Sequence, residues 1–160
     1  MKLNLLLLSF VSLLGYGASG CSFGCTLVGC RSGADASVTA VLTGLATKAA
    51  GAMPLSIKVC VDTATCATAE LTESGGVVSC DIKSGGSFAS CFALDSDVQF
   101  VVILDEATGG KASVMVSATV TDSASAKVID ASKSAPLQTS APNGESCGPT
   151  CHDGTVSFSS

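Results

Sequence analysis

The chain has no Trp, a single Tyr (Tyr16) and six Phe in 160 residues. Large rings are too few to build a core, so Val, Ala and Leu must supply it. The flat amphipathic platforms that glycan sites commonly use are missing as well, which favours a protein partner over a glycan. There is one His, His152, so a Ser/His/Asp triad would have to use it, and no Gly-x-Ser-x-Gly motif is present. Basic residues are scarce, with 8 Lys and Arg against 13 Asp and Glu. Nothing forms a basic patch, and nucleic acid is a poor partner. Helical periodicity is weak throughout. Only residues 41–53 are ambiguous, and Gly44, Gly51 and Pro54 argue against a long helix there.

What the chain does have begins at its start. Lys2, a Leu-rich run over residues 3–14 and the small residues Ala18-Ser19-Gly20 ahead of Cys21 read as a secretory signal peptide over residues 1–20. The run is too short for a mature spanning helix, which needs roughly 20 apolar residues. The expected product is exported, 140 residues long, and one domain in size. Ala18-Ser19-Gly20-Cys21 resembles the lipobox of bacterial lipoproteins, departing from it at Ala18, where the family usually has Leu. The resemblance implies acylation of Cys21, palmitate-type chains anchoring the protein firmly to a membrane. Because Ser22 rather than Asp follows the Cys, it also implies the outer membrane.

Nine cysteines are an odd number for a chain entering an oxidising compartment. If Cys21 carries lipid, eight remain to close four disulfides: Cys25, Cys30, Cys60, Cys66, Cys80, Cys91, Cys147 and Cys151. Residues 22–34 hold Cys25, Cys30 and three glycines without apolar periodicity, and read as a Cys-rich tether pinned near the domain.

From residue 35 to 160, short β-branched runs separated by Gly, Ser, Asp and Pro clusters indicate an all-β domain. In Leu55–Val61 the odd positions are apolar and the even ones are Ser56, Lys58 and Cys60. Placing Cys60 opposite Cys66 sets Val59 against Ala67, Ile57 against Ala69 and Leu55 against Leu71. This predicts a hairpin turning at Asp62-Thr63-Ala64, with a cross-strand disulfide on its solvent side. A second hairpin is expected between residues 77–82 and 88–94 around Gly85-Gly86, with Cys80 opposite Cys91 and facing the core. Residues 98–104 read as a buried strand, partnered through Gly109-Gly110 by the alternating strand around Val114, Val116 and Val120. With strands at 38–43 and 155–158 and a short piece near Val128, the total is about eight. That density predicts a disulfide-stabilised two-sheet β-sandwich, immunoglobulin-like.

Cys25 and Cys30 lie before the first strand, and Cys147 and Cys151 before the last. Each pair can close locally or bridge to the other. Bridging closes a loop of roughly 120 residues, worth nearly 5 kcal/mol of unfolded-state entropy, and is favoured. Pro142-Asn143-Gly144 would turn the chain back to that end. Cys147, Cys151 and His152 also form the one conceivable copper or thiol-redox site, since soft thiolates suit copper. A structural disulfide is the preferred account of these cysteines, and no metal or other cofactor is expected. Asp95 with Asp97, and Asp105 with Glu106, read as solvated loop carboxylates, because neither pair carries the spacing of a calcium loop.

The layout resembles a group of predicted envelope lipoproteins of Gram-negative bacteria. The shared features are Cys21 through Gly29-Cys30, small hairpins with Cys66 and Cys80, and the tail Ala141-Pro142-Asn143-Gly144 through Cys147 and Cys151. The resemblance implies export, lipidation and a β-rich fold, and no activity. The expectation is a non-enzymatic protein with a binding or structural role at the envelope.

Overall fold

Runs of alternating small apolar and polar residues leave one face of each segment fit for burial, and these runs become strands. The computed structural model describes residues 30, 36–48, 52–144 and 150–159. They contain β1 (Ala36–Thr43), β2 (Leu55–Val61), β3 (Thr65–Ser74), β4 (Val77–Ser84), β5 (Ala89–Leu94), β6 (Asp97–Ile103), β7 (Ser113–Thr121), β8 (Lys127–Ser140) and β9 (Cys151–Ser159). Two four-residue helices, α1 (Leu45–Lys48) and α2 (Glu106–Gly109), and a 3-10 turn at Gly86–Phe88 complete the described elements. The signal peptide, Cys21, Cys25, Cys147 and the tether apart from Cys30 lie outside the described residues.

The strands form one sheet in the order β4-β3-β2-β7-β8-β9-β1-β6-β5. All neighbours are antiparallel except β1 and β9, which run parallel. Continuity depends on β8, whose 127–136 portion pairs with β7 while Leu137–Ser140 pairs with β9. Pro136, with no N–H to give a ladder, stands where the strand changes partners. The two ends of the sheet, β4 and β5, run beside each other, yet among the described residues no hydrogen-bonded ladder joins them. The Cys80–Cys91 disulfide joins them instead. The result is a nearly closed shell around one core. Val38, Leu42, Phe100 and Phe158 enter that core from one half of the sheet, and Leu55, Ile57, Leu71 and Val116 from the other. Among the described residues, these two phenylalanines are its only large rings. Val and Leu, each contributing roughly 1.5–3 kcal/mol when fully buried, make up much of the rest.

The expected β2–β3 hairpin is present with its register intact, Leu55 opposite Leu71 and Cys60 opposite Cys66. Its disulfide is on the face away from the core, but Cys60 is only 8% exposed, so the bridge is more covered than a solvent-side position implies. The second hairpin differs. β4 pairs with β3 around Gly75-Gly76, both at positive φ as a tight two-residue hairpin turn requires, and β5 pairs with β6. The expected Cys80–Cys91 bridge is present, and both cysteines pack partly buried against the core. Likewise β6 and β7 are not partners: β6 lies between β1 and β5, and β7 between β2 and β8. The piece near Val128 is the start of a 14-residue strand, bringing the count to nine. Hydrogen bonding runs through all nine strands, without the break that two separate sheets would show.

Candidate functional site

The termini are cross-linked as favoured, through Cys30–Cys151 across 121 positions. Together with Cys60–Cys66 and Cys80–Cys91 this gives three described disulfides, which point to an oxidising, exported environment. The sulfur of Cys151 is therefore committed to Cys30. For the copper or redox motif this removes one thiolate from the set of three, and Cys147 lies outside the described residues. His152 is turned to β8, its Nδ1 3.2 Å from the Thr139 hydroxyl.

One carboxylate of each acidic pair serves the backbone. Asp97 accepts from the Gly44 N–H at 2.9 Å and from the Ser96 hydroxyl at 3.0 Å. Asp105 caps α2 by accepting from the Thr108 N–H at 2.7 Å, and the Thr108 side chain first, then this amide, hold its carboxyl below the usual carboxylate range. Asp62 accepts from Lys111 Nζ at 2.5 Å and from the Met115 N–H at 2.8 Å. The lysine first, then the amide, lower its pKa. Among the described residues no cluster of three or more His, Cys, Asp or Glu side chains is placed to hold a metal.

Among the described residues, a groove of about 470 Å³ opens on the outer face of β9-β1-β6-β5. Alternation sends Val38, Ala40 and Leu42 inward and leaves Ser37, Thr39 and Val41 on its floor. Gln99 and Val101 of β6, Ser90 and Phe92 of β5, and Asp153 and Thr155 of β9 complete it. Ser37 is 2% exposed, and its hydroxyl donates to Asp153 Oδ1 at 2.8 Å, tying β1 to β9 at one end of the groove. Phe92 is 52% exposed at the other side. The surface thus offers hydroxyls, one carboxamide and one carboxylate beside an apolar ring, a lining suited to recognition. A second cavity, about 510 Å³, opens beside Cys66, Phe88 and Asp105.

None of the groove residues was singled out from the sequence. Each strand alone shows an ordinary outer face, Ser and Thr on β1, Gln99 and Val101 on β6, and the β1–β9, β1–β6 and β5–β6 pairings gather four such faces into one surface. Among the described residues no helix is long and apolar enough to cross a membrane. No family model matches the chain, and no curated protein or solved structure is similar to it.

Proposed function

We propose that this is an exported protein held at the outer membrane through lipid on Cys21, whose β-domain binds a partner at the cell envelope without catalysing a reaction. The observation that carries the binding reading is the outer-face groove, where half-exposed Phe92 stands beside Gln99, Thr39 and the Ser37–Asp153 pair. Exposed rings flanked by hydrogen-bonding groups are the usual anchors of protein interfaces. A protein partner fits better than a glycan, because the ring is Phe, without a polar tip. The anchor reading is supported by Ala18-Ser19-Gly20-Cys21 and by the even set of cysteines left once Cys21 is acylated. In the same reading, the two halves of the sheet pack face to face across the shared core in an immunoglobulin-like sandwich, with β8 serving both.

Pull-down from envelope extracts tests the binding reading. The wild-type protein is expected to retain a partner that Phe92→Ala and Gln99→Ala variants lose. Recovery of nothing above background, or of the same partner by all three proteins, would remove the groove from consideration. Intact-mass measurement of protein purified from membranes without reductant tests the anchor. Acyl mass on Cys21 is expected, and an unmodified Cys21 would leave a soluble exported protein.

A further inference from the structure

The strand directions assign the ends of the shell. β1 and β9 are parallel, so the start of β1 at Ala36 and the start of β9 at Cys151 share one rim. Following the antiparallel pairings outward, that rim also holds the turn at Asp62-Thr63-Ala64, the short 3-10 turn Gly86–Phe88 and α2. The Cys30–Cys151 disulfide lies there too. The opposite rim carries the Gly75-Gly76 turn, Val77, Leu94 and α1.

We propose that the Cys30–Cys151 rim faces the lipid surface and that the rim bearing Val77 and Leu94 points away from it. This rests on the lipid-anchor reading. Cys30 follows Cys21 by nine positions, so a fully extended chain places the disulfide no more than about 30 Å from the acylated residue. Without the disulfide, the next described position is Ala36 on the same rim, 15 positions on and up to roughly 50 Å away. The bridge therefore shortens the tether to that rim. A nine-residue strand such as β9 rises about 30 Å, so the far rim stands off by a comparable further distance. Charge does not reverse this. Among the described residues, the near rim sets Asp62, Asp105 and Glu106 against Lys111, and the far rim Glu73, Asp95 and Asp122 against Lys48 and Lys127, so neither shows the basic surplus that adheres to anionic lipid. The groove runs along the side wall, open to a partner approaching from the aqueous side.

The absence of Trp makes the test direct, because a single introduced indole reports without background. Phe88 on the near rim and Val77 on the far rim are 36% and 68% exposed, so both positions accept a larger ring. Full-length lipoprotein carrying Phe88→Trp or Val77→Trp would be placed in phosphatidylethanolamine/phosphatidylglycerol vesicles containing a dansyl-labelled lipid, and energy transfer from Trp to dansyl measured. Transfer at least twofold greater from Phe88→Trp is expected. Equal or reversed transfer from protein that carries acyl mass and floats with the vesicles would overturn the orientation alone. Protein without acyl mass that fails to float would overturn the anchor reading and the orientation with it. If either variant fails to fold, Ala107→Trp on α2 and Leu94→Trp report the same two rims.

Discussion

The shell is completed at two places that use different chemistry. Between β8 and β9 the join is a backbone ladder of four residue pairs, Leu137–Ser140 against 151–154, with Lys133 reaching across to the Ser157 carbonyl at 2.7 Å. Between β4 and β5 the described residues carry no ladder, and one disulfide makes the join. A ladder spreads its stabilisation over many weak bonds and tolerates the loss of one, whereas a single covalent link is all or none. Edge strands with unpaired N–H and C=O groups invite pairing with other chains, so the Cys80–Cys91 bridge also keeps two such edges turned toward each other.

The largest expected effect comes from the longest cross-link. Paired Cys30→Ser and Cys151→Ser changes release a loop of 121 positions and should lower stability by about 5 kcal/mol, read as a shift in the denaturant midpoint. A loss below about 2 kcal/mol would mean that the unfolded chain is already constrained near this join. Paired Cys80→Ser and Cys91→Ser changes, across 11 positions, should cost about 3 kcal/mol. The more telling readout is local. Amide exchange should accelerate in β4 and β5 while β8 and β9 stay protected, and uniform acceleration would show that the two joins open together.

How much of this was legible in the sequence follows from the same contrast. The β2–β3 hairpin could be read in full because apolar alternation and the Cys60/Cys66 spacing demanded one register. Gly85-Gly86 suggests the hairpin that sets Cys80 against Cys91, and the disulfide forms, but the turn leads through Gly86–Phe88 into β5, whose ladder is with β6. The Gly75-Gly76 pair was the available signal for the true partner of β4. β8 was nearly invisible: only Ile129 and Ala135 of its 14 residues are buried, most of the others are Lys, Ser, Asp, Gln and Thr, and Pro136 argues against an interior strand. Its role comes from pairing with different neighbours at its two ends, a long-range property that local periodicity does not encode. The groove was illegible for that reason too, since β1, β5, β6 and β9 contribute to it from widely separated stretches.

An acid titration separates both joins from the hairpin that lies in neither. Asp62, at φ 50, sits in the β2–β3 turn with a depressed pKa caused chiefly by Lys111 and then by the Met115 amide. A depressed carboxylate contributes stability that is present above its unfolded pKa of about 3.9 and is lost as pH falls through the folded value. Wild-type protein should therefore weaken below about pH 4, and Asp62→Ala, losing roughly 1–2 kcal/mol at neutral pH, should show a smaller acid dependence. An unchanged acid profile in the variant would assign the acid sensitivity to other carboxylates.

The smallest effect is expected at Lys133, and it tests whether the backbone ladder closes its side unaided. Its ammonium donates to the Ser157 carbonyl and lies 5.6 Å from the centre of the Phe158 ring, one of the two largest buried side chains. β8 has no ladder to this part of β9, so the lysine spans a stretch where the two strands have parted. A charged hydrogen bond together with an exposed cation–π contact should be worth about 1 kcal/mol once side-chain ordering is subtracted. Lys133→Met keeps the aliphatic stem and removes the charge, so it should lose nearly as much as Lys133→Ala if the ammonium is what matters. If Lys133→Met matches wild type while Lys133→Ala does not, the stem's cover over Phe158 is the operative contact, and the β8–β9 join is held by its four-pair ladder and apolar packing alone.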